Sequence, residues 1–191
     1  MNIIEFYHKA RLFVIKEGFS DEIKWCRERY FKNIDKKEFA FEYTFAVLAS
    51  SGLREQVVRK NYNKFLDAAK EGKSPFATVN NQRQRNALIH VWSDLDKIFK
   101  TLKLQVMDEE KIEYLDTLPQ IGPKAKYHLA RNLGIDCVKP DRHMERLAEN
   151  FHYPTPLAMC KDIQRQLIEQ ERVGVIDVIL WRYCNLTGEF E

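Results

Sequence analysis

Glycine, proline and cysteine are all scarce in this chain of 191 residues, which contains seven, six and four of them. A fold rich in β-strands needs many tight turns, and such turns depend on glycine and proline, so their scarcity favours long helices. The chain also has no large excess of charge of one sign, because it contains 31 basic and 28 acidic residues. Any surface for nucleic acid would therefore have to come from the local placement of charge.

The four cysteines, Cys26, Cys137, Cys160 and Cys184, are scattered along the chain. They form no C-x-x-C pair and have no histidines at metal-ligand spacing, so we expect neither a zinc site nor an iron–sulfur cluster. Scattered cysteines and the lack of a signal peptide predict reduced thiols in a cytoplasmic protein. No apolar stretch approaches the length of a membrane span, so we expect no membrane partner.

Hydrophobic residues recur at helical spacing throughout the chain, and strand-like alternation is rare. We predict an all-α fold in a single domain over 1–191, with a helical core over about 37–150 and a second helical lobe from 1–36 and 151–191. Ser20 and Asp141 are predicted helix N-caps. The predicted helices span about 3–17, 20–33, 37–51, 54–71, 80–102, 108–117, 123–133, 141–150, 156–171 and 173–185.

The segment Leu118-Pro119-Gln120-Ile121-Gly122-Pro123-Lys124 predicts a hairpin between two helices. Pro119 ends the first helix, Gly122 allows a backbone angle that other residues avoid, and Pro123 suits the first position of the second helix. Backbone N–H groups at such a junction form an anion site that fits a DNA phosphate without reading base identity. An ordinary helix–turn–helix connection is the alternative for the hairpin alone.

Two residues could supply chemistry at this hairpin. Lys124 is expected at the second helical position, where partial burial would favour the free, nucleophilic amine. Asp141 comes seventeen residues later, and a capping carboxylate is held rigidly with one oxygen left for a substrate. Near a sugar C1′ that oxygen could stabilise positive charge as a base departs, or exchange protons with Lys124. The alternatives are a solvated lysine and an aspartate that only caps its helix.

These residues resemble the helix-hairpin-helix DNA glycosylases, whose hairpin pattern L-P-x-[IV]-G-x-K is matched at 118–124 and whose aspartate corresponds to Asp141. The run from Gly122 to Gly134 and then Asp141-Arg142-His143 is similar to the archaeal-type 8-oxoguanine glycosylases. Leu180-Trp181 and Thr187-Gly188 are similar to that group's ending. Residues 41–51 are similar to the helix that leads into the family's minor-groove wedge.

The resemblance implies a helix-hairpin-helix glycosylase fold and an enzyme that excises a damaged or modified base from double-stranded DNA and nicks the strand. We expect a monomer, because DNA enzymes of this size commonly act alone. The resemblance also implies that Lys124 is the Schiff-base nucleophile and that Asp141 assists it. The family's optional iron–sulfur cluster is not expected here, because the cysteines are scattered. The resemblance allows a monovalent cation at the hairpin carbonyls. The implied DNA contacts are Leu118, Gln120, Gly122, Lys126, Lys139, Ser51 and Arg54, and the implied base pocket is formed by Trp181, Phe41, Tyr43 and His128.

Three positions depart from the family pattern. Gln120 replaces the usual first hairpin glycine, Lys126 replaces a small residue, and Glu191 stands where the archaeal-type enzymes place a lysine that helps to read the base. The last departure leaves the identity of the excised base open. Two other functions also stay open. One is an enzyme of viral thymine hypermodification that acts at the 5-substituent of the base, and the other is a hairpin DNA-binding protein without chemistry.

Overall fold

The computed structural model describes residues 1–50 and 52–190, with the side chain of Glu55 left out. Eleven α-helices and two short 3-10 helices occur in these residues and no strand does, which confirms the all-α prediction. Within the same residues, no helix is long and apolar enough to cross a membrane. The α-helices are α1 (Ile3–Lys16), α2 (Ser20–Glu28), α3 (Lys36–Ala49), α4 (Glu55–Lys70), α5 (Gln82–Ser93), α6 (Leu95–Leu104), α7 (Asp108–Asp116), α8 (Ala125–Asn132), α9 (Arg142–Asn150), α10 (Pro156–Gln166) and α11 (Val173–Thr187), and the 3-10 helices are Phe31–Asn33 and Pro75–Thr78.

The long helix predicted over 80–102 is wrong, because the chain forms α5 and α6 with Asp94 between them. The Ser93 hydroxyl donates to the His90 carbonyl at 2.8 Å, and the Asp94 N–H donates to the same carbonyl at 3.2 Å. The serine hydroxyl thus competes with the backbone for this carbonyl, and Asp94 leaves the helical conformation with a φ of −103° and a ψ of 19°. The Ser20 cap is also wrong, since Ser20 is already helical and Phe19 occupies the N-cap position.

Two compact units divide the chain. The terminal unit consists of Met1–Lys32 and Ala130–Glu191, and the central unit is Asn33–Leu129. In the terminal unit, α11 packs against α1, α2, α9 and α10, and it is buried along most of its length. In the central unit, α3 packs against α4, α5 and α6 and buries Phe39, Tyr43 and Val47. Each large apolar side chain buried in this way contributes about 1.5–3 kcal/mol.

The C-terminal end of α8 is held tightly inside the terminal unit. Gly134 has a φ of 78°, and a Cβ there would come within 2.7 Å of the carbonyl carbon of Tyr30. The Arg172 guanidinium donates to the carbonyls of Arg29 and Gly134, at 2.5 and 2.8 Å. This close approach requires glycine, and it fixes the start of the segment that leads from α8 to Asp141.

Candidate functional site

The predicted hairpin connects α7 to α8, and its shape is fixed from inside the central unit. Leu118 is buried, its N–H donates to Leu115 O, and its carbonyl accepts from Ile121 N–H, both at 3.1 Å. The hydroxyl of Tyr43, on α3, donates to the carbonyl of Pro119 at 2.6 Å. Internal hydrogen bonds therefore hold the turn in place, and Leu118 supports the hairpin as a core residue.

The left-handed residue of the hairpin is Gln120, with a φ of 63°, and not Gly122. This conformation costs a residue with a side chain about 1–2 kcal/mol. A Cβ built at Gly122 would meet no atom within 4 Å. The expectation that Gly122 supplies the special backbone angle is therefore wrong, and nothing in the described part of the chain requires glycine there. The open space permits close approach of a ligand backbone to Gly122.

Lys124 lies in the turn before α8, because the regular helix begins at Ala125. The first hydrogen bond with helical spacing nevertheless reaches back beyond this start, because Lys126 N–H donates to Gly122 O at 3.0 Å. The side chain of Lys124 is exposed, so the partial burial expected from the sequence is not observed. The exposed side chain of Lys124 is therefore accessible to a ligand that approaches the hairpin at Gly122.

Lys126, predicted to bind DNA, is instead buried in an ion pair. Its Nζ lies 2.9 Å from a carboxylate oxygen of Glu113 and 3.2 Å from one of Asp116, both on α7. The Glu113 carboxylate raises the pKa of Lys126, and Asp116 adds to the effect. This pairing does not support a role as a phosphate ligand. It compensates two negative charges that would otherwise repel a phosphate near the hairpin.

Two of the pocket residues predicted in the central unit, Phe41 and His128, contact different aromatic side chains. Tyr43 has no exposed surface on which a base could stack, and burial raises the pKa of its hydroxyl. Phe41 is half-buried and lies edge-on to Trp92, with ring centres 5.5 Å apart. His128 is also half-buried and lies edge-on to Phe45, at 6.0 Å.

Phe45 is the centre of an aromatic group that the sequence analysis missed. Its ring centre lies 5.3 Å from that of Tyr62, and the Arg59 guanidinium lies 5.9 Å from it. A sequence signal for this group exists, because Arg59 and Tyr62 are three residues apart and therefore share a face of α4. His128 thus belongs to a partly exposed aromatic and cationic group on α3, α4 and α8.

The resemblance places the minor-groove wedge at about residues 51–54, directly before α4, with Leu53 or Arg54 as the inserted side chain. Leu53 is 49% exposed and Arg54 is also exposed. The carbonyl of Arg54 accepts from Val57 N–H at 2.9 Å, so the backbone of Arg54 is fixed while its side chain faces solvent. The predicted contact at Ser51 lies outside the described residues.

In the terminal unit, Asp141 caps α9, as predicted. Its Oδ1 accepts from the backbone N–H groups of His143 and Met144, at 3.0 and 3.3 Å. Its Oδ2 lies 3.7 Å from Nζ of Lys139. The cap leaves one carboxylate oxygen for other contacts, and Lys139 is placed to balance the charge of Asp141.

A second carboxylate, Asp177, lies within the same unit on α11 and was not predicted. Its side chain is 1% exposed, and its Oδ2 pairs with Nη1 of Arg131 at 3.0 Å. Its Oδ1 has no hydrogen-bond partner among the described residues. Burial raises the pKa of Asp177 to about 6, against the opposing effect of Arg131, and the negative charge of Asp141 raises it further. We call Arg131, Lys139, Asp141 and Asp177 the acid centre.

Arg131 lies near the end of α8, and its guanidinium turns towards Asp177 inside the terminal unit. Trp181, predicted to line the base pocket, lies one turn beyond Asp177 on α11, where it is half-buried against the core of the terminal unit.

Comparison of the chain with protein-family models gives no match, and searches of curated proteins and of solved structures give none either. In the described part of the chain, no group of three or more histidine, cysteine, aspartate or glutamate residues could hold a metal ion. The carbonyls of Leu118, Pro119 and Gly122 each accept one hydrogen bond within the protein. The monovalent cation at these carbonyls stays a prediction.

Proposed function

We propose that the protein is a helix-hairpin-helix DNA glycosylase with an associated lyase activity, and that it removes a damaged or modified base from double-stranded DNA. The observation that carries this proposal is the exposed Lys124 beside Gly122, where a Cβ would meet open space. A hairpin with only a structural role requires neither feature. A phosphate that approaches the amides of Gln120 and Gly122 brings its nucleotide within reach of Lys124.

In the proposed reaction the amine of Lys124 attacks C1′ of a nucleotide that has been extruded from the duplex. The bond from C1′ to the base breaks, the electron pair leaves with the base, and the base takes up a proton. Loss of a proton from the lysine nitrogen and opening of the sugar ring give a Schiff base. Removal of a proton from C2′ then expels the 3′ phosphate, which nicks the strand.

Asp141 has two functions in this proposal. One oxygen caps α9, and this bond holds the carboxylate in a single orientation. The second oxygen stabilises the positive charge that develops on the sugar as the base departs. Extrusion of the base costs a few kcal/mol, and the exposed Leu53 and Arg54 are the candidates to fill the vacated space.

Borohydride trapping tests the proposal, since reduction converts a Schiff base into a permanent protein–DNA adduct. We would incubate the protein with duplexes that carry 8-oxoguanine, uracil, thymine glycol, 5-hydroxymethyluracil or an abasic site. We expect an adduct on the abasic duplex and on the duplex with the preferred lesion. Lys124→Ala should abolish the adduct, and Asp141→Asn should slow base release by about 100-fold or more.

The matched control is Lys100→Ala, which removes another exposed lysine of the central unit and should leave trapping unchanged. Absence of an adduct on every duplex, the abasic one included, would contradict the lyase assignment. Mass spectrometry of the treated DNA would then distinguish the alternatives. A change at the 5-substituent of thymine would indicate the hypermodification enzyme, and unaltered DNA would indicate a hairpin protein that only binds.

A further inference from the structure

Trp25 and Tyr30 are exposed aromatic residues of the terminal unit that have no role in the reaction described above. Trp25 lies on α2 and is 40% exposed, and Tyr30 follows the end of α2 and is 45% exposed. Tryptophan is highly buried on average in folded proteins, and tryptophan and tyrosine are enriched where proteins bind their partners. The two rings are therefore candidates for contact with a ligand.

A guanidinium lies over the ring of each of these residues. The guanidinium carbon of Arg29 lies 4.9 Å from the ring centre of Trp25, and that of Arg172 lies 4.8 Å from the ring centre of Tyr30. These are cation–π contacts, in which the positive charge is attracted to the face of the ring. They hold each ring in one orientation, so a ligand that stacks on the open side does not have to immobilise the side chain.

Both guanidiniums are themselves fixed by backbone carbonyls. Arg29 donates through Nε to the carbonyl of Asn132. The guanidinium of Arg172 donates to three carbonyls, at 2.5 to 3.2 Å, and these belong to Cys26, Arg29 and Gly134. Because Arg172 bonds to the backbone of Arg29, the two pairs of ring and guanidinium form one connected group. We call this group, which consists of Trp25, Arg29, Tyr30 and Arg172, the aromatic platform.

The segment that carries the two rings is basic, although the chain as a whole is nearly balanced. Residues 24–32 contain four basic residues and one acidic residue, and this excess of three equals that of the whole chain. Arg27 is paired with Glu171 at 2.5 Å, whereas the side chains of Lys24 and Lys32 are exposed. The local placement of charge therefore favours an anionic ligand.

We propose that the aromatic platform binds single-stranded nucleic acid, with bases stacked on the rings of Trp25 and Tyr30. The phosphates then lie near the side chains of Lys24 and Lys32. Nζ of Lys32 lies 5.6 Å from the ring centre of Tyr30, within reach of the phosphate of a nucleotide that stacks there. Every base has a π-face, so stacking on aromatic side chains tolerates any sequence. Bases in a duplex are stacked on each other and become available to the platform only when a strand is unpaired.

The guanidiniums also help to decide which class of ligand fits. A cation on one face of a ring already uses the attraction of the π-electrons for positive charge, so a ligand with a second cation gains little on the open face. A neutral base that carries a negative phosphate is complementary to both the rings and the lysines. A protein partner is the alternative, since tryptophan, tyrosine and arginine are also enriched at protein interfaces.

Binding is measured by fluorescence anisotropy of a labelled oligothymidylate of about 12 nucleotides, with the full chain at a fixed salt concentration. We expect saturable binding. Trp25→Leu should weaken it by about tenfold, because leucine is apolar but has no ring on which a base can stack. Trp25→Tyr keeps a ring and should retain most of the affinity. The matched control is Leu12→Ala, which changes an exposed apolar residue on α1 of the same unit and should leave affinity unchanged.

A second measurement uses the unmodified chain and depends on no variant. The indole N–H signals of the tryptophans are followed by NMR during titration with the same oligothymidylate. The signal of Trp25 should shift, because a stacked base changes the ring current at the indole. Trp92 is the internal control, since its indole N–H donates to Thr44 Oγ1 at 3.1 Å within the central unit, and its signal should not shift.

Absence of oligothymidylate binding, or binding without a shift of the Trp25 signal, would overturn the inference and favour a protein partner for these rings. An equal loss of affinity in Trp25→Leu and Trp25→Tyr would also overturn it, since stacking would then not be the cause. The inference goes beyond the proposed function and its test requires no lyase activity. A chain that binds the oligothymidylate through Trp25 but forms no adduct with any duplex would keep this inference and contradict the proposed function.

Discussion

The hairpin of the central unit and the acid centre of the terminal unit hold their polar groups in opposite ways. At the hairpin, Gln120 and Lys124 are exposed, and the backbone is fixed from behind by Tyr43. In the acid centre, Asp177 is buried and paired with Arg131. Exposed groups contribute little to folding, whereas buried charges influence it strongly. Substitutions at the hairpin should therefore alter DNA binding, and substitutions in the acid centre should first alter stability.

Removal of Arg131 should have the largest effect on stability. Arg131→Met leaves Asp177 as a buried carboxylate without its partner, which costs about 3–5 kcal/mol. We expect this loss in the free energy of unfolding at pH 7.5, measured by denaturant titration followed by circular dichroism. At pH 5 the loss should be smaller, because Asp177 can take up a proton.

The double variant Arg131→Met/Asp177→Leu provides the control for this prediction. It removes both charges and should recover most of the lost stability at pH 7.5. An equal loss in the single variant at both pH values would show that Asp177 does not carry the effect. It would also mean that the buried charges of the acid centre do not influence stability more strongly than the exposed groups of the hairpin.

The pH dependence of stability should show a smaller effect of the same carboxylate. The pKa of Asp177 rises from 3.8 to about 6 on folding, so the folded protein binds a proton more tightly than the unfolded chain between these values. Stability from this group is therefore fully present below pH 3.8 and is lost as pH rises from 3.8 to about 6, by about 3 kcal/mol in all. Two other carboxyls, the half-buried Asp162 and the exposed Glu189, have lowered pKa values and change stability in the opposite direction.

The contribution of Asp177 is therefore measured as the difference in unfolding free energy between the unmodified chain and a variant without the carboxylate. Unfolding free energies of the unmodified chain and of Asp177→Asn would be compared from about pH 3.5 to about pH 7.5. We expect the difference between them to change across this range, because only the unmodified chain can lose the proton at residue 177. A constant difference would contradict the raised pKa.

The sequence predicts those features that depend on a few neighbouring residues. The all-α class follows from helical periodicity over the whole chain, and the Asp141 cap follows from an aspartate directly before an amphipathic helix. The hairpin between α7 and α8 follows from Pro119 and Pro123, which cannot continue a helix. Each of these signals is local, so packing between distant segments does not change it.

Features that depend on distant partners could not be predicted. The assignment of the left-handed residue to Gln120 depends on internal bonds such as that from Tyr43, 76 residues away in the chain. The pairing of Lys126 depends on how α7 packs beside it. Asp177 interrupts the apolar run 173–181 of α11, and its partner Arg131 is 46 residues away in the chain. Sequence spacing alone identifies none of these partners.

Relief of backbone strain should have a moderate effect and allows a direct comparison of the two units. Gln120 in the central unit and His152 in the terminal unit, with φ values of 63° and 60°, are the residues other than glycine with positive φ in the described part of the chain. Gln120→Gly and His152→Gly should each stabilise the protein by about 1 kcal/mol, because glycine adopts this conformation without strain. Denaturant titration of both variants measures the effect. A destabilised Gln120→Gly would mean that its side chain supports the hairpin.

Gly122→Ala should have the smallest effect on stability and a clear effect on DNA binding. Gly122 has no positive φ, and the added methyl group would meet no atom of the described protein, so the free energy of unfolding should stay within about 0.5 kcal/mol of the original. The methyl group would instead occupy the space that a phosphate needs for close approach. We expect affinity for duplex DNA to fall by about tenfold, at a fixed salt concentration, in fluorescence anisotropy titrations. His152→Gly serves as the control, since it relieves the same kind of backbone strain in the terminal unit and should leave affinity unchanged. Unaltered affinity in Gly122→Ala would mean that DNA does not approach this face of the hairpin, and it would remove the observation on which the proposed function rests.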